Sequence, residues 1–380
     1  MAQIPSLAKL VGEVDTWASS MAKGSVYTFE ACSPAGVSLA DISMLTYERS
    51  FTLTRNKEEH LSFKIKLSQL EKYAASINLH PRVLINSYQT DIKVKRNGKY
   101  LFGSQVVSTP FSDDEEDGVI TVNCRGYLDL FKDRYITATY TGMDSVNMAI
   151  AAMTATQAQP RGSVGVTYDS SLYLTGVPRD RTYEQSNVKT LIQDLSKLTD
   201  SRFDFSFTHD KKYHTFREIG AIRSDVTYIY GGPGSNITGL YDEDSAMSLY
   251  NRILATGSGF GADALRTVRD DVTSQIQHYI RELPKSYSDV SKLATLAQNA
   301  DADLALGKDV LHIPQLTITG NDMPSNFIIP GDRIPVSTIG HPWLDAINGL
   351  YRAESEVVHL DENDFESSIV IYFDNFDVSV

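Results

Sequence analysis

The dipeptide Asn97-Gly98 most restricts what this chain can fold into. Asn and Gly readily take positive φ in succession, as the two-residue turn of a tight β-hairpin requires. Alternating runs flank it, Ile92, Val94 and Arg96 before and Lys99, Leu101 and Gly103 after. Successive side chains of a strand point to opposite faces, so Phe63, Ile65 and Leu67 point one way and Lys64 and Lys66 the other. These patterns predict a β meander from Arg49 to Tyr135, with strands at Arg49–Arg55, Leu61–Leu67, Ile92–Phe102 and Val119–Arg125. One face is dry, and almost no helix interrupts it.

Upstream, Val26–Cys32 reads as a strand that Ser33-Pro-Ala-Gly36 breaks. Before it, Ile4, Leu7, Leu10, Val11, Val14, Trp17 and Met21 recur at helical spacing. They predict an amphipathic helix over 4–21 that either caps a core in its own subunit or docks on a neighbour.

From about 136 to 218 the character changes. Asp144 or Ser145 can cap a helix burying Val146, Ala149, Ile150 and Met153, and Ser186 or Asn187 one burying Val188, Leu191, Ile192, Leu195 and Leu198. Alternating Phe203, Phe205 and Phe207, a turn at His209–Lys212 and a strand from Tyr213 to Phe216 follow. Pro160–Gly165 reads as a flexible loop. Strands return from Ile219, at Val226–Tyr230, Ser248–Ala255, Leu316 and Ile318, the Ile328–Val336 hairpin, Ala353–Leu360 and Phe365–Phe373, the last two joined by a turn at Asp361–Asp364. Among them Val290, Leu293, Ala297, Ala300 and Leu304 predict a helix ending at Gly307. The expected fold class is α+β, mainly antiparallel β. Its parts are an N-terminal helix (1–24), a β domain (25–135), an α+β insert (136–218) and a second β domain (219–380) carrying a helical segment at about 288–306.

Apolar residues make up 42% of the 380, enough for buried cores in two or three domains. No apolar run approaches a membrane span, and the N-terminus lacks the features of a signal peptide. Cys32 and Cys124 are too few for a disulfide framework and lack zinc-ligand spacing, which points to assembly in a reducing cytoplasm. A formal charge of −13 argues against wrapping DNA, because such affinity comes from Lys and Arg releasing counterions. It suits solubility, and equally a duct whose acidic wall keeps DNA from sticking. Asp113–Asp117 reads as a solvated hairpin tip; a cation site there lacks the glycine-punctuated ligand spacing.

Gly257-Ser-Gly-Phe-Gly-Ala262 matches a dinucleotide-binding fingerprint, but no parallel βαβ unit surrounds it, so a glycine-rich hairpin tip is expected. Gly231-Gly-Pro-Gly-Ser-Asn236 lacks the Lys of a phosphate loop and reads as a turn. The eight histidines are scattered, although His209 and His214 could meet across a hairpin. No Gly-x-Ser-x-Gly elbow is present, and nothing singles out a carboxylate pair for glycoside hydrolysis. The expectation is a protein without catalytic, cofactor or metal residues.

In order along the chain, several stretches resemble those of tailed-bacteriophage tail hub proteins. They are Val94-Lys-Arg-Asn-Gly-Lys-Tyr-Leu-Phe-Gly103, Val119–Phe131, the insert helices, Asn251–Asp263, the Val290–Leu304 helix and Pro330-Gly-Asp-Arg-Ile-Pro-Val336. The resemblance covers roughly 25 to 380. It implies two β domains, each like a tail-tube subunit, so that three chains present six units and adapt a sixfold tube to a threefold tip through which DNA passes. The implied setting is the virion tail tip, after assembly in the host cytoplasm. Implied partners are two further copies of the chain, a tail-tube or distal tail protein, tip or fibre proteins, and DNA in transit without specific binding. The implied subunit-interface candidates are Lys95, Arg96, Asn97, Gly98 and Lys99 on the first hairpin and Pro330, Gly331, Asp332 and Arg333 on the second, at equivalent ring positions. The chain stops at Val380, just after its last strand, so the cell-wall hydrolase of many relatives is not implied. The alternatives are a carbohydrate-binding or cell-wall-degrading tip module, with Tyr228, Tyr230 and Tyr241 in exposed loops, or the hub of a contractile injection machine.

Overall fold

The structure is a computed structural model that describes residues 25–374 except 114–116, 199, 246–248 and 289. The expected N-terminal helix, and most of the acidic run at 113–117, lie outside the described residues.

One fourteen-stranded sheet dominates. Its path runs Gly239–Ser245, Leu311–Ile318, Glu366–Asp374, Gly349–Leu360, Thr46–Thr54, His60–Lys66, Val119–Gly126, Lys99–Ser108, Asp91–Arg96, Tyr27–Cys32 and Ser38–Asp41. Tyr228–Tyr230, Arg333–Thr338 and Phe111–Ser112 pair beside that path. The early and late strands meet where Gly349–Leu360 lies antiparallel to Thr46–Thr54, from Ser355 opposite Thr54 to Leu360 opposite Arg49. A single apolar core fills both halves, with Phe29, Phe51 and Phe63 packed in one cluster with Tyr228, Ile334, Val358 and Ile371.

The Asn-Gly hairpin forms as the sequence predicts, with Arg96 opposite Lys99, Asn97 at φ 52° and Gly98 at φ 77°. The meander is more interrupted than expected. After Lys66 the chain turns into a helix, Leu67–Ser76, that buries Leu70 and Ala74, and a short one, Pro81–Leu84, follows. Leu67 extends the alternation of the preceding strand, yet helical spacing begins there, and the helix prevails because Leu70 and Ala74 reach the core on one face.

The insert has its own core, built from Val146, Met153, Leu191, Phe205 and Tyr213 among others. Its helices, Ser145–Gln157 and Val188–Ser196, begin at the expected caps: Asp144 accepts from Val146 N (2.9 Å) and Asn187 from Thr190 N (3.0 Å). Pro178–Asn187 is a strand paired with Tyr135–Asp144. A third, small core joins Ile253 and Ala255 to Leu296, Ala300 and Leu304 of the helix Leu293–Gly307.

Gly257–Ala262 connects the antiparallel strands Arg252–Thr256 and Arg266–Asp270, with Gly259 and Gly261 at positive φ. A strand, not a cofactor-binding helix, leaves this turn. The expected Ile328–Val336 hairpin is replaced by a turn leading into the strand Arg333–Thr338, which pairs with Gly349–Leu360 and Tyr228–Tyr230. Gly331, at φ 108°, reverses the chain, and a Cβ there would meet the Ile219 carbonyl.

Candidate functional site

The two groups of interface candidates lie at turns of the sheet, one where Asp91–Arg96 and Lys99–Ser108 join and the other ahead of Arg333–Thr338. In the first hairpin, the strand alternation turns Arg96 inward. Its Nε donates to Glu366 Oε1 (2.6 Å) and its Nη2 to Oε2 (3.3 Å), and the guanidinium lies over the Phe327 ring at 5.2 Å. Tyr27 Oη donates to the same carboxylate at 2.8 Å, and burial, then the Glu366 charge, pushes its phenol well above the ordinary range. Lys95 pairs with Glu30 (3.1 Å) and sits over the Tyr100 ring. Asn97 clips the residue ahead of the strand Tyr27–Cys32, its Oδ1 accepting from Val26 N (2.9 Å) and its own N–H bonding Val26 O (2.8 Å). Asn97, Gly98 and Lys99 are exposed.

In the second group, Asp332 is buried and organises the turn. It accepts from Ala221 N (2.8 Å), Ile329 N (3.2 Å) and Arg223 Nη1 (2.8 Å). Arg333 Nη2 meets Glu218 at 2.8 Å, and Gly331 N donates to Ala353 O at 2.6 Å. Pro330 is half-buried and lines a cavity of about 270 Å³ with Ile329, Tyr100, Phe102, Phe205 and His209. One junction thus gathers Tyr100–Phe102 of the first hairpin, the insert strand and turn at 205–209, and Ile329–Pro330.

The insert is held to the sheet at this junction. His209 stacks on Tyr100, with ring centroids 3.6 Å apart and planes at 4°, and burial holds its imidazole below its usual value. Lys211 Nζ reaches Asp91 Oδ2 (2.8 Å) and the Pro34 carbonyl (2.8 Å) and lies over the Tyr127 ring. Burial raises the Asp91 carboxyl and Lys211 pulls it down. His214 is turned to Asp169, at 3.2 Å. A second ionic knot ties Arg55 to Glu354 (2.8 Å) and Asp374, and Arg352 to Asp204 (2.6 Å). Glu366, Asp91 and Lys211 were not singled out in the sequence; their one signal there is a charge falling on the apolar face of an alternating strand or in a turn.

Tyr228 is fully buried and Tyr230 partly so, leaving Tyr241 as the exposed member of the three tyrosines of the carbohydrate reading. Among the described residues no group of His, Cys, Asp and Glu could hold a metal ion, and no helix is long and apolar enough to cross a membrane.

No protein-family model matches the chain, and no curated protein matches it in sequence. Solved structures do match. The 43 kDa tail protein of prophage MuSo2 from Shewanella oneidensis superposes with a TM-score of 0.65 at 13% identity, over 92% of this chain and 98% of its own. The fold is that of a phage tail protein. A tail protein from Neisseria meningitidis MC58 gives a TM-score of 0.63 at 14% identity, over 92% and 97% of the two chains. The E. coli c3393 protein, a type VI secretion system component described as similar to the T4 bacteriophage tail proteins gp27 and gp5, gives 0.51 at 10% identity, over 87% and 74%. The resemblance carried by the order of motifs is therefore borne out in the fold.

Proposed function

We propose that this chain is a structural protein of a phage tail, and that it forms the hub at the tail tip. The observation that carries the reading is the end-to-end match to a tail protein, 92% of one chain against 98% of the other. In this reading the role is architectural and not catalytic. Three copies close a ring around a conduit for DNA and adapt a sixfold tube to a threefold tip, in contact with tube and tip or fibre proteins. The described sheet supports it, because its path ends on two strands, Gly239–Ser245 and Ser38–Asp41, each with one neighbour along that path. Open edges invite pairing with another chain, and a closed ring removes them. Of the interface candidates, the exposed Asn97, Gly98 and Lys99 are free to touch a neighbour, whereas Arg96 and Asp332 are spent inside the subunit.

Native mass spectrometry with negative-stain imaging tests this on the wild type and on Lys99→Glu. The expected result is a three-chain ring with a central hole in the wild type, lost in the variant while its unfolding midpoint stays put. A wild-type chain that neither forms a ring alone nor joins purified tail tubes would refute the hub.

A further inference from the structure

Glu356 lies in the strand Gly349–Leu360, fully buried, and neither of its carboxyl oxygens has a hydrogen-bond partner. Other buried carboxylates of the sheet and its junctions are matched: Asp91 by Lys211, Asp204 by Arg352, Asp332 by Arg223 and Glu366 by Arg96. The cross-strand neighbours of Glu356 are apolar, Leu53 on one side and Ile371 on the other.

The charged and titratable groups nearest to it give no relief. Arg223 is fully engaged, with two bonds to Asp225 (2.8 and 2.7 Å), one to Asp332 (2.8 Å) and two to the carbonyls of Phe327 and Asn326. Asp332 adds like charge. The Tyr228 hydroxyl is turned to the Asp322 carbonyl. Burial, then Asp332, pushes the Glu356 carboxyl well above the ordinary range, against a weaker pull from Arg223. An isolated carboxylate in such surroundings is far costlier than the neutral acid.

Glu356 also sits on the seam. The pair Glu356–Leu53 is one of the six residue pairs that join the late half of the sheet to the early half. The seam ladder itself runs without a slip, while on the other side of the strand, against Glu366–Asp374, the register slips between Ala353 and Ser355, beside the acid.

We propose that Glu356 is a proton-controlled lock on the seam between the two halves of the sheet. Protonated, it packs as a neutral side chain and the seam closes; when its proton leaves to solvent, the carboxylate draws water in and the six-pair ladder opens. The device does not depend on the hub assignment, and a monomer would show it. In a tail protein it offers a hinge between the two halves of the sheet.

The test compares wild type with Glu356→Gln, which mimics the neutral acid. Urea unfolding from pH 5 to 9 should show the ratio of wild-type to variant unfolding constants rising tenfold per pH unit, then levelling once the buried carboxyl ionises. The sign follows from a folded value above the unfolded one: stability is present at low pH and lost as pH rises. In the levelled range, hydrogen exchange over Thr46–Thr54 and Gly349–Leu360 should be faster in the wild type, with the hairpin strands Asp91–Arg96 and Lys99–Ser108 unchanged. A ratio independent of pH would overturn the buried neutral acid, and equal seam exchange would overturn the opening. Should the Gln variant fail to fold, Glu356→Leu gives the same comparison.

Discussion

Replacing Glu366 by Ala should destabilise the protein by about 3–5 kcal/mol, the range for breaking a buried ion pair from one side. The structure sets the magnitude. Glu366 takes two bonds from Arg96 and one from Tyr27, and all three side chains are buried. Without the carboxylate, Arg96 keeps its charge over the Phe327 ring with no counter-ion, and the Tyr27 hydroxyl loses its acceptor. A loss of this size is a large part of the stability of an ordinary domain, about 5–15 kcal/mol. Urea unfolding followed by far-UV circular dichroism measures it. The double variant Arg96→Met with Glu366→Leu should recover most of the loss, because it removes the orphaned charge along with the pair. A loss below about 1 kcal/mol for Glu366→Ala, at the level of an exposed pair, would refute the reasoning. Arg96 would then be directed to a partner, and the variant should instead fail to assemble.

Two further outcomes follow from local geometry. A methyl group on Gly103 would lie 2.6 Å from Tyr127 Oη and 2.9 Å from the His209 carbonyl, so Gly103→Ala should cost about 1–3 kcal/mol in forced shifts and speed hydrogen exchange in the insert turn 208–212. Glu58 is lifted by burial, but the His60 imidazole beside it (3.8 Å) and the hydrogen bond from Lys189 (2.7 Å) bring it down to about 2. A depressed carboxylate stabilises above its unfolded value and loses that stabilisation as pH falls through the folded one, so Glu58→Gln should flatten the acid limb of stability between about pH 4 and 2, by about 1–2 kcal/mol after solvent screening.

Local signals in the sequence translated well into structure. Asn97-Gly98 made its turn and Asp144 and Asn187 capped their helices, because each depends on a few adjacent residues. Pro178–Asn187 escaped notice since its residues are mostly exposed and polar, and it is a strand only through pairing with Tyr135–Asp144. The junction was legible in part. The cavity is lined by Tyr100–Phe102 and Ile329–Pro330, beside the two candidate segments, but Arg96 and Asp332 looked like surface charges, and their partners are distant in sequence. Glu356 had a faint signal: it shares the alternation of Val358 and Leu360, so a core position followed once those two were assigned inward.

The ionic contacts share a direction that bears on what the fold is for. Arg96–Glu366 joins the first hairpin to the last strand, Lys211–Asp91 and Lys189–Glu58 join the insert to the early strands, and Arg352–Asp204 joins the insert to the late ones. Buried pairs add little net stability over apolar packing, whereas a misplaced partner leaves an unpaired charge and is strongly disfavoured. Pairs placed at junctions therefore act mainly on orientation, penalising any other arrangement of insert and sheet halves. In the proposed hub, whose parts would match a ring on one side and a tip on the other, that orientation is needed before either is met. The seam carrying Glu356 is where the same logic is reversed, since there a buried acid has no partner and, in the proposed lock, the ordered arrangement holds only while the proton stays.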